Sequence, residues 1–163
     1  MRLSPIPIRP MRTTLFALAV VLTSISARAD PSLVRKWRSE RELTIAFARD
    51  RAKLEDKTLL FIEQMMGRMT LTFTPRRIAS EMADWQSEDA AGNKSNLVGF
   101  KETHSYKLLG STRTQVAIAS VEPVTGRHAI TIYNFDNENT MWAYLGGAPF
   151  PEMNIREYFV RVK

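Results

Sequence analysis

The amino-acid sequence predicts a mainly β fold of the α+β type. We expect an antiparallel up-and-down barrel of about eight strands, with one or two helices inserted after the first strand. Stretches rich in β-branched and aromatic residues follow one another from residue 69 to residue 162, separated by turn residues. Two stretches with helical periodicity precede them. A length of 163 residues, 44% of them hydrophobic, suits one domain.

Composition and charge exclude several classes of protein. The chain contains no cysteine, so disulfides and cysteine metal sites are impossible. The formal charge is +6, but four arginines lie in the first 29 residues, which contain no acidic residue. The remainder carries 19 basic and 17 acidic residues. This near balance predicts that nucleic acid is not a partner.

The first 29 residues have the pattern of a cleavable export signal. Arginines precede the apolar run 15–22, and Ala27-Arg28-Ala29 matches a small-x-small cleavage site. Because a membrane-spanning helix needs about 20 apolar residues, we expect no stable membrane insertion after cleavage. The sequence predicts a single mature domain at 30–163, whichever of the two early methionines starts translation. An exported domain without cysteine favours the periplasm of a Gram-negative bacterium, or secretion.

The elements before the strand-rich region are a short strand and two helices. The strand is predicted around Trp37. The stretch 40–53 carries apolar residues at helical spacing between charges, which predicts an amphipathic helix. A second helix is predicted from Thr58 to Met66, with Gly67 in position to end it.

Seven further strands are predicted after Gly67. Most separators are short enough for hairpins, which favours an antiparallel meander. With the strand at Trp37 the count is eight, and eight antiparallel strands can close into a barrel that holds one small ligand. The predicted strands are 69–74, 78–85, 97–109, 114–121, 128–135, 141–145 and 155–162.

Three features resemble the lipocalin and fatty-acid-binding group of small β-barrels, the calycins. A tryptophan, Trp37, lies on the first strand, with Arg35 where the family has glycine. Helices follow that strand, and Arg156-x-Tyr158 is similar to the terminal Arg-x-Tyr of the fatty-acid-binding branch. The resemblance implies a ligand carboxylate bound by Arg156 and Tyr158. In the wider family it implies instead an arginine, here Arg156 or Arg161, that packs over Trp37 and closes the barrel.

The candidate ligand-binding residues are polar or aromatic side chains on strand faces. An arginine and a tyrosine two residues apart can both donate to a carboxylate in an apolar cavity. Aromatic side chains can line such a cavity, or fill a closed core. For each candidate residue, the alternative to ligand binding is a structural role. The candidates are Arg156, Tyr158, Tyr133, Trp142, Tyr144, Tyr106 and His104.

The sequence contains no recognisable catalytic motif. Gly-x-Ser-x-Gly, a glycine-rich phosphate loop and His-Glu-x-x-His are all missing. We therefore predict no catalytic residue, no metal site and no cofactor. The leading hypothesis is a periplasmic protein that binds a small apolar or amphipathic molecule inside the barrel. Two alternatives stay open: a protein-interaction module with a filled barrel (an inhibitor, an immunity protein or an envelope-assembly accessory), and a hydrolase or isomerase using His104 or His128.

Overall fold

A computed structural model describes residues 32–121, 126–145 and 155–163 of the chain. The predicted signal at 1–29 lies outside the described residues. The elements are β1 (Lys36–Glu40), α1 (Arg41–Arg51), α2 (Asp56–Met65), β2 (Thr70–Phe73), β3 (Arg77–Met82), β4 (Trp85–Glu88), β5 (Lys94–Leu97), β6 (Phe100–Ser105), β7 (Lys107–Ser111), β8 (Gln115–Val121), β9 (His128–Asn137), β10 (Thr140–Tyr144) and β11 (Arg156–Arg161).

Nine of these strands form one antiparallel sheet that curls into a nearly closed barrel. Their order across the sheet is β6-β3-β2-β1-β11-β10-β9-β8-β7, while β4 and β5 form a separate hairpin. The predicted fold class is confirmed, with nine barrel strands in the described residues where about eight were expected. This architecture is compatible with a calycin-like barrel.

The predicted strand 97–109 is divided in the structure. Its first residue belongs to β5, residues 98–99 connect β5 to β6, and the remainder lies in β6 and β7 on either side of Tyr106. β6 and β7 lie at opposite edges of the sheet, so the chain crosses from one edge to the other at this residue. The Tyr106 backbone N–H donates to the carbonyl of Arg76 at 3.2 Å. The predicted strand 78–85 likewise breaks after Met82, because the next residues lead into the β4–β5 hairpin.

Helix α1 is fixed at its start and against the sheet by side-chain hydrogen bonds. The carboxylate of Glu40 accepts the backbone N–H of Leu43 at 2.7 Å, which satisfies one of the free donors of the first turn. Thr44 is fully buried, and its hydroxyl accepts the backbone N–H of Tyr158 at 3.0 Å. The helix is thereby held over β11.

The interior of the barrel is occupied by large side chains. Trp37, Ile118 and Met141 are fully buried. Aromatic rings meet edge to face, with the centroids of Trp37 and Phe135 5.9 Å apart. The buried cluster comprises Leu33, Trp37, Met69, Leu71, Phe73, Ile78, Val116, Ile118, Tyr133, Phe135, Met141, Ala143 and Phe159. The described inward-facing side chains thus pack mainly against one another.

One carboxylate lies among the inward-facing residues. Glu157 is buried, and its Oε1 accepts the hydroxyl of Ser39 at 2.6 Å. The same Ser39 oxygen accepts the backbone N–H of Gly67 at 3.0 Å. This chain of hydrogen bonds links β11, β1 and the end of α2, where Gly67 adopts a φ of 87°.

Replacing Gly99 with alanine is expected to lower the free energy of unfolding by about 1–3 kcal/mol, the usual cost of an overpacked site. A Cβ at this position would lie 2.0 Å from the carbonyl oxygen of Met82, so the backbone before β6 must move. Urea unfolding followed by circular dichroism measures the change. Gly110→Ala is the matched control, since nothing lies within 4 Å of its added Cβ. Equal losses in both variants would contradict the steric explanation.

Candidate functional site

The side chains of β11 alternate between the inside and the outside of the barrel. Glu157 and Phe159 are buried on the inner face, so Arg156 and Tyr158 lie on the outer face, beneath α1. The sequence predicted that these two residues share a face, but not which face points inward. Both candidate anchors therefore point away from the barrel interior.

Aromatic rings surround the Arg156 guanidinium on that outer face. Its central carbon lies 3.9 Å from the ring centroid of Trp142 and 4.4 Å from that of Phe47 on α1. The Tyr144 ring is 5.5 Å away, and its hydroxyl oxygen lies 3.3 Å from Nη2. These distances are typical of cation–π contacts. We call the group formed by Phe47, Trp142, Tyr144 and Tyr158 the aromatic cage.

The cage holds its cation through aromatic faces and phenol hydroxyls. Burial opposes the charged form of Arg156, but hydrogen bonds to Tyr144 and Tyr158, together with charge interactions with the same two phenols, raise the pKa of the guanidinium above its ordinary value. Its Nε is buried and has no hydrogen-bond partner in the structure. Because Phe47 belongs to α1 while Trp142 and Tyr144 belong to β10, Arg156 links the helix to the sheet.

Tyr133 lies apart from the other aromatic candidates. Its ring is buried in the barrel core, with its centroid 5.4 Å from that of Phe73. Asn134, the next residue, pairs with Trp142 in the sheet. Because neighbouring residues of a strand point to opposite faces, Tyr133 and Trp142 are on different sides of the barrel wall. The structure therefore brings Trp142, Tyr144, Arg156 and Tyr158 together and separates Tyr133 from them.

His104 and Tyr106 lie at the β6 edge of the barrel. His104 pairs with Ile78, whose side chain is in the core, so His104 faces the inner side. Its Nε2 lies 2.8 Å from the Oε2 of Glu102. Tyr106 packs against the core, donates its hydroxyl to the carbonyl of Thr74 at 2.9 Å, and has its pKa raised by burial. These two candidates are separate from the aromatic cage.

The other role implied by the resemblance, an arginine that packs over Trp37, concerns a part of the barrel away from the aromatic cage. Arg161 pairs with Trp37 across β11 and β1, and its side chain is exposed. Trp37 donates its Nε1 hydrogen to the carbonyl of Leu33 at 3.0 Å. Of the two arginines considered for this role, Arg161 is the one that lies beside Trp37 in the sheet.

The described residues contain no group of three or more potential metal ligands. His128 is exposed at the start of β9, paired with Val121. Within the same part of the chain, neither α1 nor α2 is long and apolar enough to cross a membrane.

Sequence reasoning missed an apolar surface on the outside of β8, β9 and β10. Tyr133 and Phe135 of β9 face the core, so Ile130 and Ile132 face outward, where 67% and 49% of their surface is exposed. In the sequence, apolar residues occupy both alternating positions of 129–135, which signals a strand that is apolar on two faces. We call this surface the β8–β10 patch; it consists of Ala117, Ala119, Ile130, Ile132 and Tyr144.

Comparisons of the chain with protein-family models, with curated proteins and with solved structures found no match.

Proposed function

We propose that the protein is an exported, non-enzymatic module of a bacterial envelope that recognises a partner protein through the β8–β10 patch. The observation that carries this proposal is the exposure of Ile130 and Ile132 beside other apolar side chains. Soluble monomers rarely leave a contiguous apolar surface in water without an interaction to make there. Export is supported by the signal-like pattern of the first 29 residues, and a non-enzymatic role by the sequence, which contains no catalytic motif.

The register of the strands makes the patch contiguous. Ala117 pairs with Ile132, and Ala119 pairs with Ile130. Trp142 pairs with Asn134, so Tyr144 lies two residues further along β10 beside Ile132. An alanine, an isoleucine and a tyrosine on adjacent strands therefore give a continuous apolar surface suited to another protein surface.

Polar residues border the patch, as they do in protein interfaces. Lys107 pairs with Ala119 at the β7 side. At one end, the Gln115 side chain donates to the Asn134 side-chain oxygen at 2.8 Å. The filled interior also supports recognition by the outer surface, because Trp37 and Phe135 occupy space that a ligand inside the barrel would need.

A second candidate function is the binding of a small amphipathic molecule at the β6 edge of the barrel. The observation that favours it is the Glu102–His104 pair, which lies on the inner face, with 29% of the His104 side chain exposed. Phe100, on the same face of β6, packs against the core and supplies an apolar neighbour. A ligand there would combine one polar anchor with apolar contact.

Replacing Ile132 with aspartate is expected to abolish binding of the partner protein. A carboxylate at the centre of an apolar interface is desolvated without a partner, which weakens such complexes by at least about tenfold. The measurement is native mass spectrometry of the protein isolated gently from periplasm, before and after organic extraction. Light scattering of the purified protein distinguishes a second copy of this chain from a different partner.

Val98→Asp is the matched control for this substitution. Val98 lies between β5 and β6 with 87% of its surface exposed, outside the patch, so its variant should retain the partner. A protein-sized adduct that Ile132→Asp loses and Val98→Asp keeps supports the proposal. A monomer in every sample, or an adduct that survives Ile132→Asp, overturns it. A small adduct removed by organic extraction would favour the second candidate.

A further inference from the structure

Strand β7 lies at one edge of the barrel sheet and is hydrogen-bonded on one side only. Among the described residues, β8 is its sole partner strand, and no strand pairs with its other side. All five residues of β7 are exposed, which is true of no other described strand. In β6, at the opposite edge, exposed residues alternate with partly buried ones. We call the free side of Lys107–Ser111 the β7 edge.

Two leucines make the β7 edge apolar as well as open. Leu108 pairs with Ile118, which faces the core and has no exposed surface, yet 56% of Leu108 is exposed. Leu109 is 46% exposed and has no paired residue on β8, because the register shifts between Leu108 and Gly110. A strand with an unpaired side and exposed apolar side chains is a template for a further strand.

The β7 edge is held in place at both ends by hydrogen bonds. At its start, Tyr106 donates its backbone N–H to the carbonyl of Arg76 at 3.2 Å and its hydroxyl to the carbonyl of Thr74 at 2.9 Å. After its end, the backbone N–H of Thr112 donates to the carbonyl of Gln115 at 2.8 Å. Alternate residues of an antiparallel strand direct their backbone groups to opposite sides, so about half of those of β7 point away from β8. A pre-formed edge of this kind loses little conformational entropy when it binds.

The charge of the β7–β8 hairpin is entirely positive. From residue 107 to residue 121 the only charged side chains are Lys107 and Arg113, which are exposed near the two ends of β7. Arg76 is exposed beside the start of the strand, while the nearby Glu102 contacts His104 at 2.8 Å. Exposed cations occur elsewhere on the chain, so the free edge locates the site, and its charge selects among the strands that could be added there.

Two copies of β7 are poorly matched to each other. Antiparallel pairing of one β7 edge with another would bring two lysines and two arginines together without a carboxylate from either hairpin. A lysine or a bulge on an edge strand is a common protection against such pairing. A strand with acidic residues at its ends instead offers each cation a partner of opposite charge.

We propose that the β7 edge binds an extended segment of another protein, with apolar residues at its centre and acidic residues at its ends. The segment adds a strand beside β7, and backbone hydrogen bonds supply most of the affinity. Leu108 and Leu109 contact its apolar side chains, while Lys107 and Arg113 attract its carboxylates. This site is separate from the β8–β10 patch, and binding there does not require the patch.

The test uses a synthetic peptide and isotope-labelled protein expressed from the full-length sequence. The peptide has about seven residues, the length of an ordinary strand; it alternates valine and threonine and carries glutamate at both ends. Nuclear magnetic resonance follows the backbone amides during titration. We expect shift changes and slowed hydrogen exchange confined to β7 and the residues beside it. The same peptide N-methylated at its inner residues keeps its side chains but loses its backbone donors, so it should not bind.

Charge reversal tests the preference for acidic ends. Lys107→Glu/Arg113→Glu should weaken binding of the glutamate peptide about tenfold, and should favour a peptide that ends in lysine instead. Lys36→Glu/Arg38→Glu is the matched control, because it reverses one lysine and one arginine at exposed positions of β1, away from β7 in the sheet. It should change the Kd less than about twofold. Circular dichroism confirms that each variant is folded.

The proposal is overturned if the glutamate peptide does not bind at about 1 mM, if the shift changes lie away from β7, or if the N-methylated peptide binds equally well. Equal affinity for the glutamate and lysine peptides would contradict the acidic partner. Light scattering without peptide adds one further outcome. A dimer whose β7 amides are already protected would mean that a second copy occupies the edge, which also contradicts the proposal.

Discussion

Replacing Trp37 with alanine is expected to lower the free energy of unfolding by about 3–5 kcal/mol, the range for a large aromatic residue removed from a packed core. Trp37 has no exposed surface and lies at the centre of the sheet, on β1 between β2 and β11. Its ring meets that of Phe135 edge to face, and its Nε1 hydrogen satisfies the carbonyl of Leu33. Alanine removes the contacts and leaves that carbonyl without its donor.

Urea unfolding followed by far-ultraviolet circular dichroism measures this loss without depending on tryptophan emission. Trp37→Phe is the matched control, because it keeps an aromatic ring and removes only the indole hydrogen bond and some volume. We expect it to cost less than the alanine variant. A loss below about 1 kcal/mol for Trp37→Ala would contradict a filled interior, because a tryptophan beside an empty cavity loses fewer contacts.

The position of Trp37 could be predicted from the sequence because local patterns determine it. The periodicity of apolar residues predicts the order of the elements: a short strand, two amphipathic helices and a series of strands. Ile62 and Met66, four residues apart in the predicted second helix, are both buried against Ile45 of the first. These features depend on neighbours in the chain, which sequence patterns report well.

The inner face of β11 could not be predicted, because both of its faces carry a charged residue and an aromatic residue. Arg156 and Tyr158 stand on one face, and Glu157 and Phe159 on the other. Which of the two faces points inward depends on partners that are distant in the sequence. Ser39 provides a buried hydroxyl for Glu157, and Phe47 on α1 provides a ring for Arg156.

The grouping of the aromatic candidates depended on strand register in the same way. Pairing of Asn134 with Trp142 places Tyr133 on the inner face, and a shift of one residue would have placed it with the cage. The break at Tyr106 could not be predicted either, since residues 100–109 contain no glycine, proline, asparagine or aspartate. Register and sheet edges are set by tertiary pairing, which the sequence of a single strand does not contain.

Replacing Arg156 with alanine is expected to lower the free energy of unfolding by about 2–3 kcal/mol. A cation–π contact contributes about 0.5–1 kcal/mol at an exposed site and about 2 kcal/mol when desolvated, and the half-buried Arg156 contacts more than one ring. The lost packing of the arginine stem adds to this. The variant would leave the facing rings of Phe47 and Trp142 without the group between them. Because Phe47 is on α1, we expect hydrogen exchange of the α1 amides to accelerate more than that of the barrel strands.

Arg49→Ala is the matched control for Arg156→Ala. Arg49 lies on α1 and pairs with Glu63 at 2.6 Å, but 63% of its side chain is exposed. Exposed ion pairs contribute about 0–1 kcal/mol, so this variant should be close to the parent protein. Urea unfolding of the two variants under the same conditions compares the arginine of the aromatic cage with an ordinary surface arginine. Equal losses of unfolding free energy in the two variants would contradict a structural role for the cage.

The same variant also separates the ligand-anchoring role that the calycin resemblance implies for Arg156 from the structural role that the aromatic cage gives it. An arginine that anchors a ligand carboxylate should, when removed, release a small bound molecule even at temperatures where the protein is fully folded. In the structure the guanidinium is instead surrounded by Phe47, Trp142 and Tyr144 of its own chain. We therefore expect Arg156→Ala to lower stability while leaving any extractable small-molecule adduct unchanged. An adduct lost with no change in stability would reverse that assignment, and would make the aromatic cage a binding site that opens as α1 moves.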